Sequence, residues 1–130
     1  MNIGQAADLA GVPAKRIRYY EQIGLIDAAR RSESGYRLYD DQDLHSLRFI
    51  RRSRQLGFSL FKIAGLLTLW QDRERSSSDV KAVAVAQVQE LRTKIAELQS
   101  MVDTLEHLAS HCDGDSRPEC PILADLQGAG

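Results

Sequence analysis

The sequence contains few cysteines, prolines and aromatic residues, and it has no long apolar run. Its 130 residues include two cysteines, three prolines and one tryptophan. Two cysteines cannot supply the four ligands of a structural zinc site, and in a reducing compartment they rarely form a structural disulfide. No segment approaches the ~20 apolar residues of a membrane span. Because Met1 is not followed by a basic and then apolar leader, we expect a cytoplasmic protein without a membrane partner.

Groupings that support catalysis are also missing. The sequence has no evident Ser/His/Asp set, no glycine-rich phosphate loop and no paired acidic motif. These motifs carry the common hydrolytic and phosphoryl-transfer chemistries. We therefore expect that this protein is not an enzyme.

The net charge of −1 hides an uneven distribution of charge. The first 75 residues carry 13 Lys and Arg against 9 Asp and Glu, whereas the remaining residues carry 4 against 9. A basic surface is the electrostatic signature of nucleic-acid binding. The asymmetry predicts that the N-terminal half meets a polyanion, although a solvated charged surface would have the same composition.

The N-terminal residues predict two short helices and a hairpin. Apolar residues in 3–10 recur at helical spacing until Gly11, and Pro13 suits the first position of a second helix that runs to about Gln22. Two short helices joined by a tight glycine turn form a helix-turn-helix. Residues 24–39 alternate around a polar turn, which predicts a small hairpin beside the helices, a wing.

Two further helices are predicted after the wing. Asp40, with Asp43 three residues later, can cap a helix that ends at Gly57, and Ser59 can cap the next one. The basic side chains of the second helix and the wing can reach phosphates and base edges in a DNA groove, while tyrosine hydroxyls can donate to phosphate with their rings packed inward. The candidate DNA-binding residues are Lys15, Arg16, Arg18, Tyr19, Tyr20, Arg31, Tyr36, Arg37 and Tyr39.

The second half of the chain predicts one long helix, about 45 Å in length, over 78–110. Its apolar residues alternate at spacings of four and three, as in a coiled coil. The seam consists of Ala84, Val88, Leu91, Ile95, Leu98, Val102, Leu105 and Ala109. We expect the seam to pair with the same helix of a second copy in a two-fold dimer. Packing back onto the N-terminal domain is the alternative.

The two cysteines follow this helix. Cys112 and Cys120 are separated by seven residues, which is not a zinc-finger spacing, and His111 or an acidic loop residue could add a third ligand. Soft thiolates select Cu(I) among biologically common ions. A reversible Cys112–Cys120 disulfide would instead make a thiol redox switch, and a ligand-free architectural dimer remains a third possibility. An iron–sulfur cluster usually requires more cysteines.

Five segments of the first 70 residues resemble the MerR-type regulators. They are 2–7 (NIGQAA), 17–21 (IRYYE), 24–26 (GLI), 31–39 (RSESGYRLY) and 56–60 (LGFSL). The resemblance implies a winged helix-turn-helix dimer joined by an antiparallel coiled coil. It further implies activation of promoters whose two elements are too far apart for RNA polymerase, by bending and untwisting the double-stranded DNA.

A second resemblance concerns the cysteine loop. Segments 77–81 (SSDVK), 112–115 (CDGD) and 118–122 (PECPI) are similar to the copper-responsive, CueR/HmrR-like branch of that family. In that branch Cys112 and Cys120 hold the metal, and the position of Ser77 comes from the partner subunit beside the site. Members that sense divalent ions have a cysteine there, so the resemblance implies Cu(I), with Ag(I) and Au(I) as mimics.

These observations predict a mainly α protein in four parts. A winged helix-turn-helix DNA-binding domain at 1–70 precedes a linker at 71–77, a dimerisation coiled-coil helix at 78–110, and a metal-binding loop with a short C-terminal helix at 111–130. The predicted function is a homodimeric activator that senses Cu(I) and switches on copper efflux or detoxification genes. The redox-responsive DNA-binding regulator is the alternative.

Overall fold

The structure is a computed structural model that describes residues 1–28, 30, 31, 33, 35–115 and 118–129, with the backbone alone at 30, 31, 37 and 129. The described chain is mainly helical. Its helices are α1 (Ile3–Ala10), α2 (Ala14–Gln22), α3 (Asp41–Gln55), α4 (Leu60–Gln71), α5 (Ser77–Ser110) and α6 (Pro121–Ala124). Two short strands, β1 (Arg30–Arg31) and β2 (Arg37–Leu38), separate α2 from α3.

Local capping signals set where the first helices begin. Asn2 accepts the backbone N–H of Gln5 at 2.8 Å, and the side chain of Gln5 accepts the N–H of Asn2 at 2.9 Å. Asp40 and Asp43 form the same reciprocal pair at the start of α3. Each pair satisfies two N–H groups that a helix start leaves without partners. The predicted cap of α3 is therefore confirmed.

The turn between α1 and α2 differs by one residue from the prediction. Gly11 follows α1 with a φ of 69°, a left-handed conformation that glycine adopts without a steric cost. Pro13 is the residue that precedes α2, and the first helical residue is Ala14. The fixed φ of proline suits both positions, so local sequence does not distinguish them.

The predicted wing is a minimal antiparallel hairpin. Arg30 lies opposite Leu38 and Arg31 lies opposite Arg37. The N-terminus supports the exit from β2, because the amino group of Met1 donates to the carbonyl of Tyr39 at 3.0 Å. Ser32 and Ser34 of the predicted polar turn lie outside the described residues.

The chain divides into two compact units, Met1–Gln87 and Val88–Gly130. In the first unit, α1 to α4 enclose an apolar core, and the rings of Phe49 and Trp70 stack with centroids 4.6 Å apart. Burial of this apolar surface holds the short helices together, since none of them is long enough to be stable alone. The buried core residues are Ala6, Ala10, Val12, Ile17, Tyr20, Ile26, Tyr39, Leu44, Leu47, Ile50, Ile63 and Leu67.

The second unit consists of the rest of α5, the cysteine loop and the C-terminal turns. Ile95 and Leu98 of the predicted seam are 65% and 60% exposed in the single chain. After α6, a wide turn extends over Asp125–Ala129, and Gly128 leaves helical geometry there with a φ of 82°. Gly130 lies outside the described residues. Within the described part of the chain, no helix is both long and apolar enough to cross a membrane.

Candidate DNA-binding face and metal centre

Helix α2 carries a basic exposed face above a buried one. Ile17 and Tyr20 are three residues apart and point into the core, whereas Lys15, Arg18 and Tyr19 are exposed. This division follows the helical period, since residues three apart share a face. Arg16 is exposed as well. Four of the five candidates on α2 are therefore available to a ligand outside the domain.

Two of the predicted DNA-binding tyrosines are core residues. Tyr20 is 1% exposed and Tyr39 is 3% exposed. The hydroxyl of Tyr20 accepts a hydrogen bond from Arg54 at 3.0 Å, and the hydroxyl of Tyr39 donates to the carboxylate of Glu21. The rings pack inward as the sequence predicted, but both hydroxyls already have charged partners within the domain, which does not support the predicted contacts of Tyr20 and Tyr39 with phosphate. The helical spacing from Ile17 was the available signal for Tyr20.

The wing presents one further candidate. Tyr36 is 72% exposed, just before β2. The backbones of Arg31 and Arg37 face each other across the hairpin, while their side chains lie outside the described part of the structure. A tyrosine at the tip of a hairpin combines an apolar ring with a hydroxyl donor, which suits contact with sugar and phosphate.

The two cysteines lie on either side of the loop after α5. Cys112 follows the last turn of α5, Cys120 immediately precedes α6, and both are half-buried free thiols. They line one cavity of about 290 Å³ together with loop residues. The cavity is lined by His111, Cys112, Asp113, Gly114, Asp115, Glu119, Cys120 and Pro121.

The local backbone favours the anionic form of one thiol. The N–H of Leu123 lowers the pKa of Cys120 below its ordinary value, with smaller contributions from the N–H of Ile122 and from the thiol of Cys112, while partial burial raises it. The contribution from Cys112 means that the two side chains interact. Thiolates rather than thiols are metal ligands and nucleophiles. The loop therefore brings together two sulfurs, one of which loses its proton readily.

The donor set of this cavity fits a soft ion of low coordination number. Among the described residues, no group of three or more His, Cys, Asp or Glu side chains is arranged to hold a metal. His111, the third ligand that the sequence left open, has its Nδ1 2.8 Å from the carbonyl oxygen of His107. Two sulfurs without a third ligand suit a monovalent ion such as Cu(I) and do not suit zinc.

Ser77 is the first residue of α5 and is exposed. The helix start is organised by its neighbours, because the hydroxyls of Ser76 and Ser78 are 2.8 Å apart and Ser76 accepts from the N–H of Asp79 at 3.4 Å. The hydroxyl of Ser77 thus stands at the exposed beginning of the long helix. A position beside the metal of a partner subunit remains a prediction for Ser77.

Two family descriptions match most of the chain. Residues 1–69 match "MerR HTH family regulatory protein", and residues 44–108 match "MerR, DNA binding". Together they include all of the described DNA-binding face and most of α5. The family consists of DNA-binding transcription regulators, so the expectation that this protein is not an enzyme is confirmed.

Individual relatives agree with these matches. Heavy metal-dependent transcription regulator 2 of Rhizobium meliloti (strain 1021) is 60% identical over 126 residues, covering 97% of this chain and 86% of the relative. The HTH-type transcriptional regulator CueR of Escherichia coli O157:H7 is 43% identical over 128 residues, covering 98% of this chain and 95% of that relative.

A solved structure is similar over nearly the whole chain. The transcription regulator PbrR691 from Ralstonia metallidurans CH34, in complex with lead(II), superposes with a TM-score of 0.84 at 36% identity, covering 97% of this chain and 98% of that one. The predicted mainly α fold with a helix-turn-helix domain and a long C-terminal helix is thereby confirmed. On its sequence, its fold and its relatives, this chain belongs to the MerR family of helix-turn-helix transcriptional regulators.

Proposed function

We propose that this regulator is a homodimeric, Cu(I)-responsive activator that binds promoter DNA and switches on copper efflux or detoxification genes. The observation that carries the proposal is the pair of interacting thiols, Cys112 and Cys120, without a third ligand among the described residues. Ag(I) and Au(I) have the same preference for soft ligands and are expected to act as mimics. Its partners would be double-stranded promoter DNA in the cytoplasm and, through the promoter, RNA polymerase.

DNA binding is supported by the exposed basic face of α2 and by the wing. Lys15 and Arg18 can reach the major groove, while Tyr19 and Tyr36 can contact sugar and phosphate. A helix-turn-helix usually presents its second helix to the groove, and here that helix is α2. Arg31 and Arg37 remain proposed contacts of the wing.

Dimerisation is supported by the apolar seam of α5. Leu98, Val102 and Leu105 are exposed in the single chain, although they recur on one face of the helix. Exposing such a continuous apolar stripe to water is unfavourable, and pairing with a second copy would bury it. A two-fold dimer would also present two copies of α2 to two DNA half-sites.

The choice of metal is supported by charge as well as by ligand type. Two thiolates and a monovalent ion leave a net charge of −1, whereas a third thiolate would suit a divalent ion better. Ser77, at the position where members that sense divalent ions have cysteine, adds no thiolate. The names of the relatives support a heavy metal as the signal. The similarity of the cysteine loop to the copper-responsive branch supports Cu(I).

The chain's own residues can convert binding into a structural change. Cys112 follows the end of α5 and Cys120 directly precedes α6, so a bond from both sulfurs to one ion would fix the loop between two helices. Ile122 and Leu126 would then dock differently on the dimer, and the two DNA-binding domains would move relative to each other. The requirement is that the metal binds one dimer conformation more tightly than the other. DNA distortion in that conformation would realign the promoter elements.

A thiol redox switch is the second candidate, because the same contact between Cys112 and Cys120 favours it. Peroxide could oxidise the thiol of Cys112 to a sulfenic acid, and the thiolate of Cys120 could then attack that sulfur, which would close a disulfide and, with one proton, release water. Activation of transcription by peroxide in the absence of metal would favour this candidate. Activation by Cu(I) under reducing conditions would reject it.

The decisive experiment titrates the reduced protein with Cu(I) and, separately, with Zn(II), in the presence of a strong competitor for each ion. We expect one tightly held Cu(I) per cysteine pair and weak Zn(II) binding. X-ray absorption of the loaded protein should detect two sulfur ligands. Equal affinity for both ions, or four ligands around copper, would contradict monovalent sensing.

Variants test which residues are responsible. Cys112→Ser and Cys120→Ser should each abolish tight Cu(I) binding and induced transcription, while operator binding persists. His111→Ala is the matched control within the same cavity and should keep the Cu(I) stoichiometry. Induction that survives in the Cys112→Ser variant would show that the sensor lies elsewhere.

A further inference from the structure

A basic cavity lies between the turn after α1, helix α2 and the end of α3, all within the first unit. Its volume is about 300 Å³. Three arginines from two helices contribute to it: Arg16 from α2, and Arg51 and Arg54 from α3. The remaining lining residues are Gly11, Val12, Tyr20 and Gln55.

The turn is shaped so that one guanidinium can lie against it. Gly11 has a left-handed φ of 69°, and a Cβ built there would lie 2.7 Å from a guanidinium nitrogen of Arg51. Any other residue would push this side chain away or strain the turn. Glycine therefore provides both the turn and the space for Arg51.

A buried tyrosine holds the second guanidinium. The ring of Tyr20 is enclosed by the core, and its hydroxyl accepts a hydrogen bond from Nη1 of Arg54 at 3.0 Å. Arg54 also stands in the last turn of α3, where a cation is favoured by the exposed carbonyls. Neither a hydrogen bond to Tyr20 nor the carbonyls at the end of α3 accounts for the positions of Arg16 and Arg51. Arg51 precedes the last turn of α3, and Arg16 lies on α2.

The charge of this cavity is not balanced from within. None of its lining residues is acidic, and in the described part of the chain the side chains of Arg16 and Arg51 form no hydrogen bond or ion pair. Three exposed guanidinium groups around one cavity create a positive local potential that attracts an anion. Planar guanidinium groups match the oxygens of phosphate, with which they form paired, charge-assisted hydrogen bonds.

We propose that the cavity of Arg16, Arg51 and Arg54 binds one phosphate of the DNA backbone when α2 enters the groove. The inference rests on the proposed DNA-binding function and adds a specific anchor to it. Arg16 adjoins Lys15 and lies two residues before Arg18, so the anchor is on the helix that carries the base-reading candidates. A phosphate contact at this position would fix the orientation of α2 without reading sequence.

The test measures how binding depends on salt. Arg16→Gln and Arg51→Gln are titrated against a mixed-sequence DNA duplex of about 30 base pairs, long enough for two half-sites. Each variant should bind roughly tenfold more weakly, and the slope of log affinity against log salt should fall by about 1 for each phosphate that the variant no longer neutralises. Arg16→Lys keeps the charge and should keep most of the slope while its affinity falls.

Arg92→Gln is the matched control, because it removes one exposed arginine from α5, which contributes no lining residue to this cavity. It should leave affinity and slope unchanged, and equal thermal midpoints should confirm that all variants fold. Unchanged slopes in both Arg16→Gln and Arg51→Gln would overturn the inference. A second result would also overturn the inference: the wild type binds inorganic phosphate saturably, and the variants lose this binding while they still bind the duplex normally. The anion of the cavity would then not be a phosphate of DNA. If the wild-type protein binds no duplex, the proposed function itself is wrong.

Discussion

At the scale of single residues, Cys120 shows how backbone groups alone can prepare a metal ligand. The N–H of Leu123 makes the largest contribution to the lowered pKa of Cys120, ahead of Ile122 and the thiol of Cys112. These donors are fixed by the first turn of α6, and they require no lysine or arginine nearby. Backbone hydrogen bonds can therefore favour the thiolate form that binds a cation.

The lowered pKa predicts how the reactivity of the Cys120 thiol depends on pH. The Cys112→Ala variant isolates Cys120 and removes one of the smaller contributions, while the N–H of Leu123 remains. Because the folded pKa is below that of an ordinary thiol, about 8.5, the thiolate should persist to lower pH. The midpoint of the iodoacetamide reaction rate against pH should lie below that of a reference cysteine peptide. The same variant in denaturant serves as the control and should return to the peptide value. A midpoint at or above the peptide value would contradict the role of the N–H groups.

Single residues also mark the limit of sequence analysis. Residue type alone suggested that Tyr20 and Tyr39 contact DNA, yet both are enclosed, with hydroxyls bonded to Arg54 and Glu21. Tyrosine has an apolar ring and a polar tip, so it suits a core and an interface equally well. Which role it takes depends on residues 34 and 18 positions away along the chain, and a local pattern does not contain that information.

At the scale of elements, the helices were predictable because their signals are local. The caps at Asp40 and Ser59, the glycine after α1 and the heptad spacing of α5 all operate within a few residues. The C-terminal turn over Asp125–Ala129 was not predicted. Its sequence, with one glycine and no capping signal, contains no local reason to prefer this turn.

The attachment of α5 to the first unit depends on one buried polar residue. Gln87 is 5% exposed, its side-chain amide donates to the carbonyl of Leu56 at 3.1 Å, and its oxygen accepts from Lys62 at 3.3 Å. It thereby connects the start of the long helix to α4 and to the residue after α3. No sequence pattern indicated this residue, since glutamine is usually exposed on a helix.

Replacement of Gln87 should therefore weaken the first unit. Gln87→Ala leaves the carbonyl of Leu56 without this donor, and we expect the free energy of unfolding to fall by about 1–3 kcal/mol. Gln89→Ala is the matched control, because Gln89 is exposed and lies two residues along the same helix. This variant should change the free energy of unfolding by less than about 0.5 kcal/mol. Urea unfolding measures both. Equal midpoints for the two variants would show that the hydrogen bonds of Gln87 contribute little.

At the scale of the whole molecule, the apolar seam of α5 is exposed in the single chain. Ile95, Leu98 and Leu105 are more than half exposed, and their spacing of three and four keeps them on one face over many turns. The first unit already has a core of its own. The proposed partner is a second copy, which would supply the same seam and, with it, a second DNA-binding face.

The dimer proposal makes a definite prediction for this seam. Leu98→Asp puts a carboxylate into the surface that two copies would bury, and an unpaired charge there costs several kcal/mol. We expect the dissociation constant of the Leu98→Asp dimer to be at least about a hundredfold higher than that of the wild type. Operator binding should be lost in parallel, because two half-sites need two linked domains. Ser100→Asp adds the same charge to the opposite face of α5, and this variant should stay dimeric. Leu98 and Ser100 are both exposed in the single chain. Analytical ultracentrifugation with circular dichroism distinguishes dissociation from unfolding. If Leu98→Asp and Ser100→Asp sediment alike, the seam does not form the dimer, and the two thiol loops cannot be coupled to DNA through paired α5 helices.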